Sequence, residues 1–164
     1  MKVQDLCSRE VFSCSSDMDL SSVISMMWDF DLGSVPVVDR DGRIAGVITD
    51  RDIAIALGTR NRRAPELRAR DVMSTRVHSC APADDLRSAM NTMWTEKIRR
   101  LPVVGAQGRV VGILSISDLI LRAQVGGDPE SGPGWEDVLL TLKGICSPRR
   151  PRAREARPAT AYRA

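Results

Sequence analysis

Apolar and polar positions alternate along the chain in two rhythms, and the order of those rhythms occurs twice. From Asp19 to Phe30 the apolar residues Leu20, Val23, Ile24 and Met27 fall at the i, i+3, i+4, i+7 spacing of a helix with one buried stripe. The spacing returns from Asp85 to Glu96 with Leu86, Ala89, Met90 and Met93. Before each helix stands a short segment, "EVFSC" or "RVHSC", whose alternation predicts a strand. After each come two apolar runs around a glycine, "VPVVDRDGRIAGVIT" and "LPVVGAQGRVVGILS", which predict hairpins turning at Gly42 and Gly108. A second helix follows in both passages. The predicted order is strand, helix, strand, strand, helix, a unit of the α/β (α+β) class.

The two passages keep one register. Asp5 matches Asp71, Cys14 matches Cys80, Trp28 matches Trp94, Pro36 matches Pro102, Gly46 matches Gly112 and Asp52 matches Asp118, each 66 positions on and without a gap. Roughly a third of positions are identical across it, the signature of an internal repeat. Residues 1–60 and 69–124 are read as the two copies, joined by a linker over 61–68; a helix stop is expected at Gly58 and a helical turn after Pro65. A unit of about 55 residues is near the lower limit for a self-sufficient core. Two copies packed with pseudo-twofold symmetry would relieve that, and would leave two related clefts between them.

Past the second copy the pattern changes. Residues 125–146 read as a Gly- and Pro-rich connector and one short amphipathic helix, Trp135–Ile145, with Trp135, Val138, Leu139 and Leu142 on its apolar face. Residues 147–164 are rich in proline and arginine and are expected to be disordered.

Composition narrows the function classes. The hydrophobic fraction of 43% in 164 residues is ample for a core, and the net charge of +3 sits largely in the tail, not on a periodic face, so it marks no nucleic-acid surface. No apolar run reaches the ~20 residues of a membrane span. Cys7, Cys14, Cys80 and Cys146 are scattered, and the N-terminus has no apolar signal core, which suggests reduced thiols in a cytoplasm. His78 is the only histidine, so a multi-histidine metal site is excluded. No phosphate-loop, nucleophile-elbow or zinc-protease motif is present, and enzyme chemistry has no foothold beyond turnover of a nucleotide in the clefts.

The stretch "GVITDRDIAIAL" and its copy "GILSISDLILRA" carry the candidate chemistry. Thr49-x-x-Asp52 and Ser115-x-x-Asp118 are each a capping box, satisfying backbone N–H groups at a helix start. A strand-to-helix junction also offers free N–H groups and a dipole end to an anion, and the two roles are compatible. Trp28 and Trp94 read as core or dimer-face packing in preference to base stacking, and Cys14 and Cys80 as small buried hydrophobes in preference to a redox pair.

The doubled "DVMSTRVHSCAPADDL" and "RRLPVVGAQGRVVGILSISDLI" pattern resembles a tandem cystathionine-beta-synthase (CBS) domain pair, over about residues 1–124. The resemblance implies a stand-alone Bateman module: two β-α-β-β-α repeats in pseudo-twofold packing, commonly dimeric, with clefts for adenine nucleotides (AMP, ADP, ATP) or S-adenosylmethionine as regulatory ligands. It implies phosphate contacts from Thr49 and Ser115 and ribose contacts from Asp52 and Asp118. An adenine ring would be held by backbone and apolar groups around Val35, Val11, Leu101 and Val77. A basic residue before the proline reads phosphate in relatives; the second copy has Arg99 and Arg100 there and the first has Gly33 and Ser34, so two unequal clefts are expected. The competing reading is an interaction or scaffold dimer with vestigial clefts, reaching an unknown effector protein through its C-terminal helix and tail.

Overall fold

In each repeat the residues between proline and glycine close a hairpin because a left-handed glycine makes the turn. The computed structural model describes residues 1–126 and 132–148. Strand β2 (Ser34–Val38) pairs antiparallel with β3 (Ile44–Thr49), and β4 (Arg100–Val104) with β5 (Val110–Ser115). Gly42 and Gly108 both take φ of +78°, a region L side chains avoid. The helices are α1 (Leu20–Asp29) and α2 (Asp50–Arg60) in the first repeat, α3 (Ala69–Val72), α4 (Leu86–Glu96) and α5 (Ile116–Arg122) in the second. A final helix, α6, spans Trp135–Cys146.

Asp19 and Asp85 start α1 and α4 as side-chain caps, accepting from the backbone N–H of Ser22 and Arg87 at 3.1 and 2.9 Å. The buried faces are those the periodicity predicts, Leu20, Val23 and Met27 in α1 and Leu86, Ala89, Met90 and Met93 in α4, with Ile24 turned partly outward. Two expectations are corrected. Gly58 does not stop α2, because a lone helical glycine costs only about 1 kcal/mol; the helix runs on to Arg60 and ends at Asn61, which takes the left-handed C-terminal position. The first strand shrinks to β1, Cys14–Ser15, parallel to β2, and in the second repeat to a single bridge from Cys80 to Val103. Val11 and Val77 precede it in irregular backbone.

A local pseudo-twofold axis passes between the equivalent residues Arg43 and Arg109, which bridge one another across the two hairpin turns. About this axis the repeats trade their leading segments. Residues 1–8 leave the first repeat: Ser8 bridges Ile113 of β5, and Val3, fully buried, belongs to the core of Leu86, Met93, Leu101 and Leu114. The equivalent segment of the second repeat crosses the other way. Ser74 bridges Val47 of β3, and Ala69 joins the core of Leu20, Val35 and Ile48. Gly46 and Gly112 are glycines for this reason. A β-carbon on Gly112 would lie 2.8 Å from the Ser8 carbonyl, and one on Gly46 would lie 2.9 Å from that of Ser74.

Helix α6 packs on α4 and, more lightly, on α5. Its buried residues are Val138, Thr141, Gly144 and Ile145, with Leu142 partly buried against the second core. Trp135 and Leu139, expected on the inner face, are 48% and 66% exposed. The helix is rotated because Gly144 lies directly against the Trp94 indole, a place that admits no β-carbon. The expected disorder of the tail falls, from residue 149 on, outside the described residues.

Candidate functional site

Both Thr/Ser–Asp pairs sit where a hairpin strand hands the chain to a helix. Thr49 caps α2: its Oγ accepts from the Asp52 N–H at 3.2 Å, while Asp52 Oδ2 accepts from the Thr49 N–H at 3.1 Å and from its hydroxyl at 2.6 Å. Ser115 and Asp118 repeat the arrangement at the start of α5 with 3.2, 2.7 and 2.6 Å. In both copies the bonds converge on Oδ2, and among the described residues no hydrogen bond reaches Oδ1. All four residues are only partly buried. Each carboxylate therefore keeps one oxygen with which to accept from a further donor.

Strand register fixes what stands beside each pair. Ser34 lies opposite Thr49, and Arg100 lies opposite Ser115. The residue before it is tied down through the backbone: the Asp50 N–H donates to the Gly33 carbonyl at 3.3 Å and the Ile116 N–H to that of Arg99 at 2.9 Å. The Arg100 side chain then leaves its own repeat. Its Nη1 comes within 3.1 Å of the point where a β-carbon on Gly33 would sit, and Asp50 Oδ2 within 3.7 Å of that same point. So the second repeat delivers a cation to the start of α2 in the first. Ser34, at the place equivalent to Arg100, has no charge to deliver to the start of α5.

The apolar residues named for the adenine ring divide. Val35 and Leu101 are fully buried in their own cores, so their side chains cannot line a cleft and only their backbone is available to one. Val11 and Val77 are partly exposed. Sequence reasoning missed the exchanged segments as neighbours of the site. Cys7 and its equivalent Met73 lie against Gly112 and Gly46, three residues before Ser115 and Thr49. Burial raises the Cys7 thiol above its ordinary pKa, with Arg9 opposing the shift and the Asp118 charge adding to it. Arg99 stays exposed.

The chain belongs to the CBS domain family, whose model matches residues 3–59 and 69–124. It is 35% identical over 120 residues to the CBS domain-containing protein YhcV of Bacillus subtilis, covering 73% of this chain and 84% of that one. It is 26% identical over 148 residues to inosine-5'-monophosphate dehydrogenase of Methanocaldococcus jannaschii; the match takes in 90% of this chain and 28% of the dehydrogenase. Among solved structures, the CBS domain pair of protein MJ0100, in complex with 5'-methylthioadenosine and S-adenosyl-L-methionine, superimposes with a TM-score of 0.65 at 26% identity, over 74% of this chain and 98% of that one.

Proposed function

We infer that this chain is a ligand-sensing regulatory module, not a catalyst, that binds an adenosyl ligand in clefts between its two repeats and signals by a change of conformation or of dimer. The observation that carries the reading is the duplicated hydroxyl–carboxylate pair. Each supplies a carboxylate oxygen for ribose hydroxyls beside a helix start suited to an anion. The adenosyl ligands of the MJ0100 domain pair support the same ligand class. Because Arg100 reaches toward the start of α2, the cleft of Thr49 and Asp52 favours a phosphorylated ligand such as AMP, ADP or ATP. That of Ser115 and Asp118, with Ser34 in place of a cation, favours adenosine, methylthioadenosine or S-adenosylmethionine. The module works as a homodimer. Four free thiols suit a reducing cytoplasm, and among the described residues no helix is long and apolar enough to cross a membrane.

Calorimetric titration of the wild type with AMP, ADP, ATP and S-adenosylmethionine, repeated on Asp52→Ala and Asp118→Ala, tests the reading. Each variant is expected to lose one class of site. If the wild type binds none of the ligands, or both variants bind as it does, the reading fails. The scaffold alternative draws on Leu139 and Leu140, 66% and 61% exposed on the outer side of α6. A pulldown that survives loss of both aspartates but not deletion from Gly126 onward would favour it.

A further inference from the structure

Each crossing segment returns to its own repeat through a short span, and each span borders one cleft. Residues 75–79 run from Ser74, which bridges Val47 two positions before Thr49, to Cys80, which bridges Val103 of β4. Residues 9–13 run in the same way from Ser8, which bridges Ile113 two positions before Ser115, to Cys14, which pairs with Val37. Among the described residues neither span makes a backbone-to-backbone hydrogen bond. One side chain in each ties it instead to the end of the repeat's first long helix. Phe12 stacks on Phe30, just past α1, with ring centroids 4.0 Å apart. The equivalent residues of the second repeat, 66 positions on, are His78 and Glu96, the last residue of α4. His78 Nε2 lies 3.3 Å from Glu96 Oε2, and the two side chains are 25% and 32% exposed, so water screens the pair only in part. One fastening is indifferent to protons and the other is not.

We propose that His78 and Glu96 form a proton-dependent latch on the cleft of Thr49 and Asp52, whose affinity for its ligand rises as the imidazole takes up a proton, while the Phe12–Phe30 stack leaves the other cleft without this response. The inference rests on the reading of that cleft as an adenosyl site and adds how the site is regulated. A neutral imidazole can donate to Glu96 through Nε2, and a protonated one adds its charge to the bond. The gain is therefore present at low pH and lost as pH rises. The charged groups around the pair are Arg76, on the same span, and the cations that follow Glu96. Arg76 Nη2 stands 3.8 Å from the same Glu96 oxygen, so it offsets part of the carboxylate at any pH and keeps the proton's contribution modest. Lys97 turns its ammonium to the Ser147 and Pro148 carbonyls, and Arg99 and Arg100 are exposed. The latch joins two walls of one cleft. The span is anchored on β3 of the first repeat, and the residues after Glu96 lead straight into Arg100, whose guanidinium reaches toward the start of α2. Holding the span against α4 sets both before a ligand arrives, which reduces the ordering that binding must supply. His78 and Glu96 act in this as positioning residues.

Because His78 is the only histidine, its imidazole signals can be followed by NMR in the full chain without ambiguity. The affinity of AMP for the site lost in Asp52→Ala is measured by calorimetry between about pH 5.5 and 8, the range in which imidazoles titrate. The proteins compared are the wild type, Glu96→Gln, and the His78→Phe, Glu96→Phe double variant, which transplants the first repeat's stack. The AMP phosphate titrates alike in all three, so the latch is the difference between them. From the alkaline to the acid end the wild type is expected to gain roughly two- to fivefold in affinity relative to the double variant. Glu96→Gln, which keeps an acceptor without its charge, is expected to lose most of that gain while its melting temperature at the alkaline end stays that of the wild type. In the empty wild type, amide exchange in residues 75–79 should slow in step with the imidazole titration, and exchange in residues 9–13 should not. Equal pH dependence of binding in the wild type and the double variant, or exchange in the span that ignores the imidazole, overturns the latch and leaves the site reading standing. Tighter binding at the alkaline end overturns its sense. A chain that binds AMP at no pH removes the site reading, and the inference with it.

Discussion

Arg100 and Gly33 are complementary across the two repeats: the guanidinium of one stands 3.1 Å from where the other would carry a β-carbon. The absence of a side chain at position 33 makes room for the arginine beside the start of α2. Arg100→Ala is therefore expected to weaken a phosphorylated adenosine more than an unphosphorylated one. A charge-assisted contact of about 1.5–3 kcal/mol corresponds to roughly ten- to a hundredfold in affinity. Gly33→Val, which crowds the guanidinium without touching its charge, should reproduce part of that loss. Equal effects of Arg100→Ala on adenosine and on ATP in calorimetry would argue against a phosphate contact.

The hydroxyl–carboxylate pairs have a structural role in the empty protein, and it can be separated from binding. Thr49→Ala removes a cap and one bond to Asp52, for an expected cost of about 1 kcal/mol, or a melting temperature lower by roughly 2–4 °C in a domain of this size. Asp52→Asn keeps an acceptor for the Thr49 N–H and should cost less. Its binding loss should nevertheless be distinct, because the neutral amide is a weaker acceptor for ribose hydroxyls. Thermal denaturation of the two variants beside their titrations separates the roles.

The exchanged segments make Gly112 and Gly46 sensitive positions. Gly112→Ala puts a β-carbon 2.8 Å from the Ser8 carbonyl and 3.0 Å from Cys7 Sγ. Something must move, at the roughly 1–3 kcal/mol typical of overpacking. The paired amides of Ser8 and Ile113, which donate to each other's carbonyls at 3.0 and 2.9 Å, should lose protection first. Hydrogen exchange at those amides, set against the β2–β3 hairpin, measures this. Uniform loss across the chain would mean that the segment does not yield on its own.

Cys14 and Cys80 set an alkaline limit. Burial pushes their thiols up to about 11 and about 12, with the Asp84 charge adding to the shift at Cys80. In the unfolded chain a thiol ionises near ~8.5, so the folded state holds these protons longer. Their share of stability is complete below that value and drains away as pH rises from there toward the folded values. The melting temperature is expected to fall over that window, and the Cys14→Ala, Cys80→Ala double variant to show a shallower fall. At neutral pH a thiol reagent should label exposed Cys146 at once and reach Cys14 and Cys80 only in denaturant.

Much of this architecture was legible because it is written twice. A 3.6-residue period at Leu20, Val23 and Met27 is suggestive alone, and its return at Leu86, Ala89 and Met93 makes chance a poor explanation. The helix caps at Thr49 and Ser115 and the turns at Gly42 and Gly108 were legible for the same reason, since each fills a position with few chemical solutions. The exchange of leading segments was not, because Val3 and Ala69 satisfy an identical pattern whichever core they enter. Nor was the rotation of α6. Hydrophobicity ranks Leu139 above Gly144, and only the Trp94 ring makes the absence of a side chain the better fit. The direction of Arg100 was invisible as well, since register places its backbone in one repeat while its reach serves the other.

The crossing of residues 1–8 and 69–74 gives the two repeats a shared fate. Cutting the chain at the linker would leave each half with a leading segment shaped for its absent neighbour and a core open where that neighbour's segment belongs. Such halves, expressed separately, should be poorly folded, and mixed they should recover one another in a single cooperative step. Any ligand that draws one hairpin inward pulls on a segment whose chain runs on into the opposite repeat, so the repeats can differ in what they hold but cannot move independently.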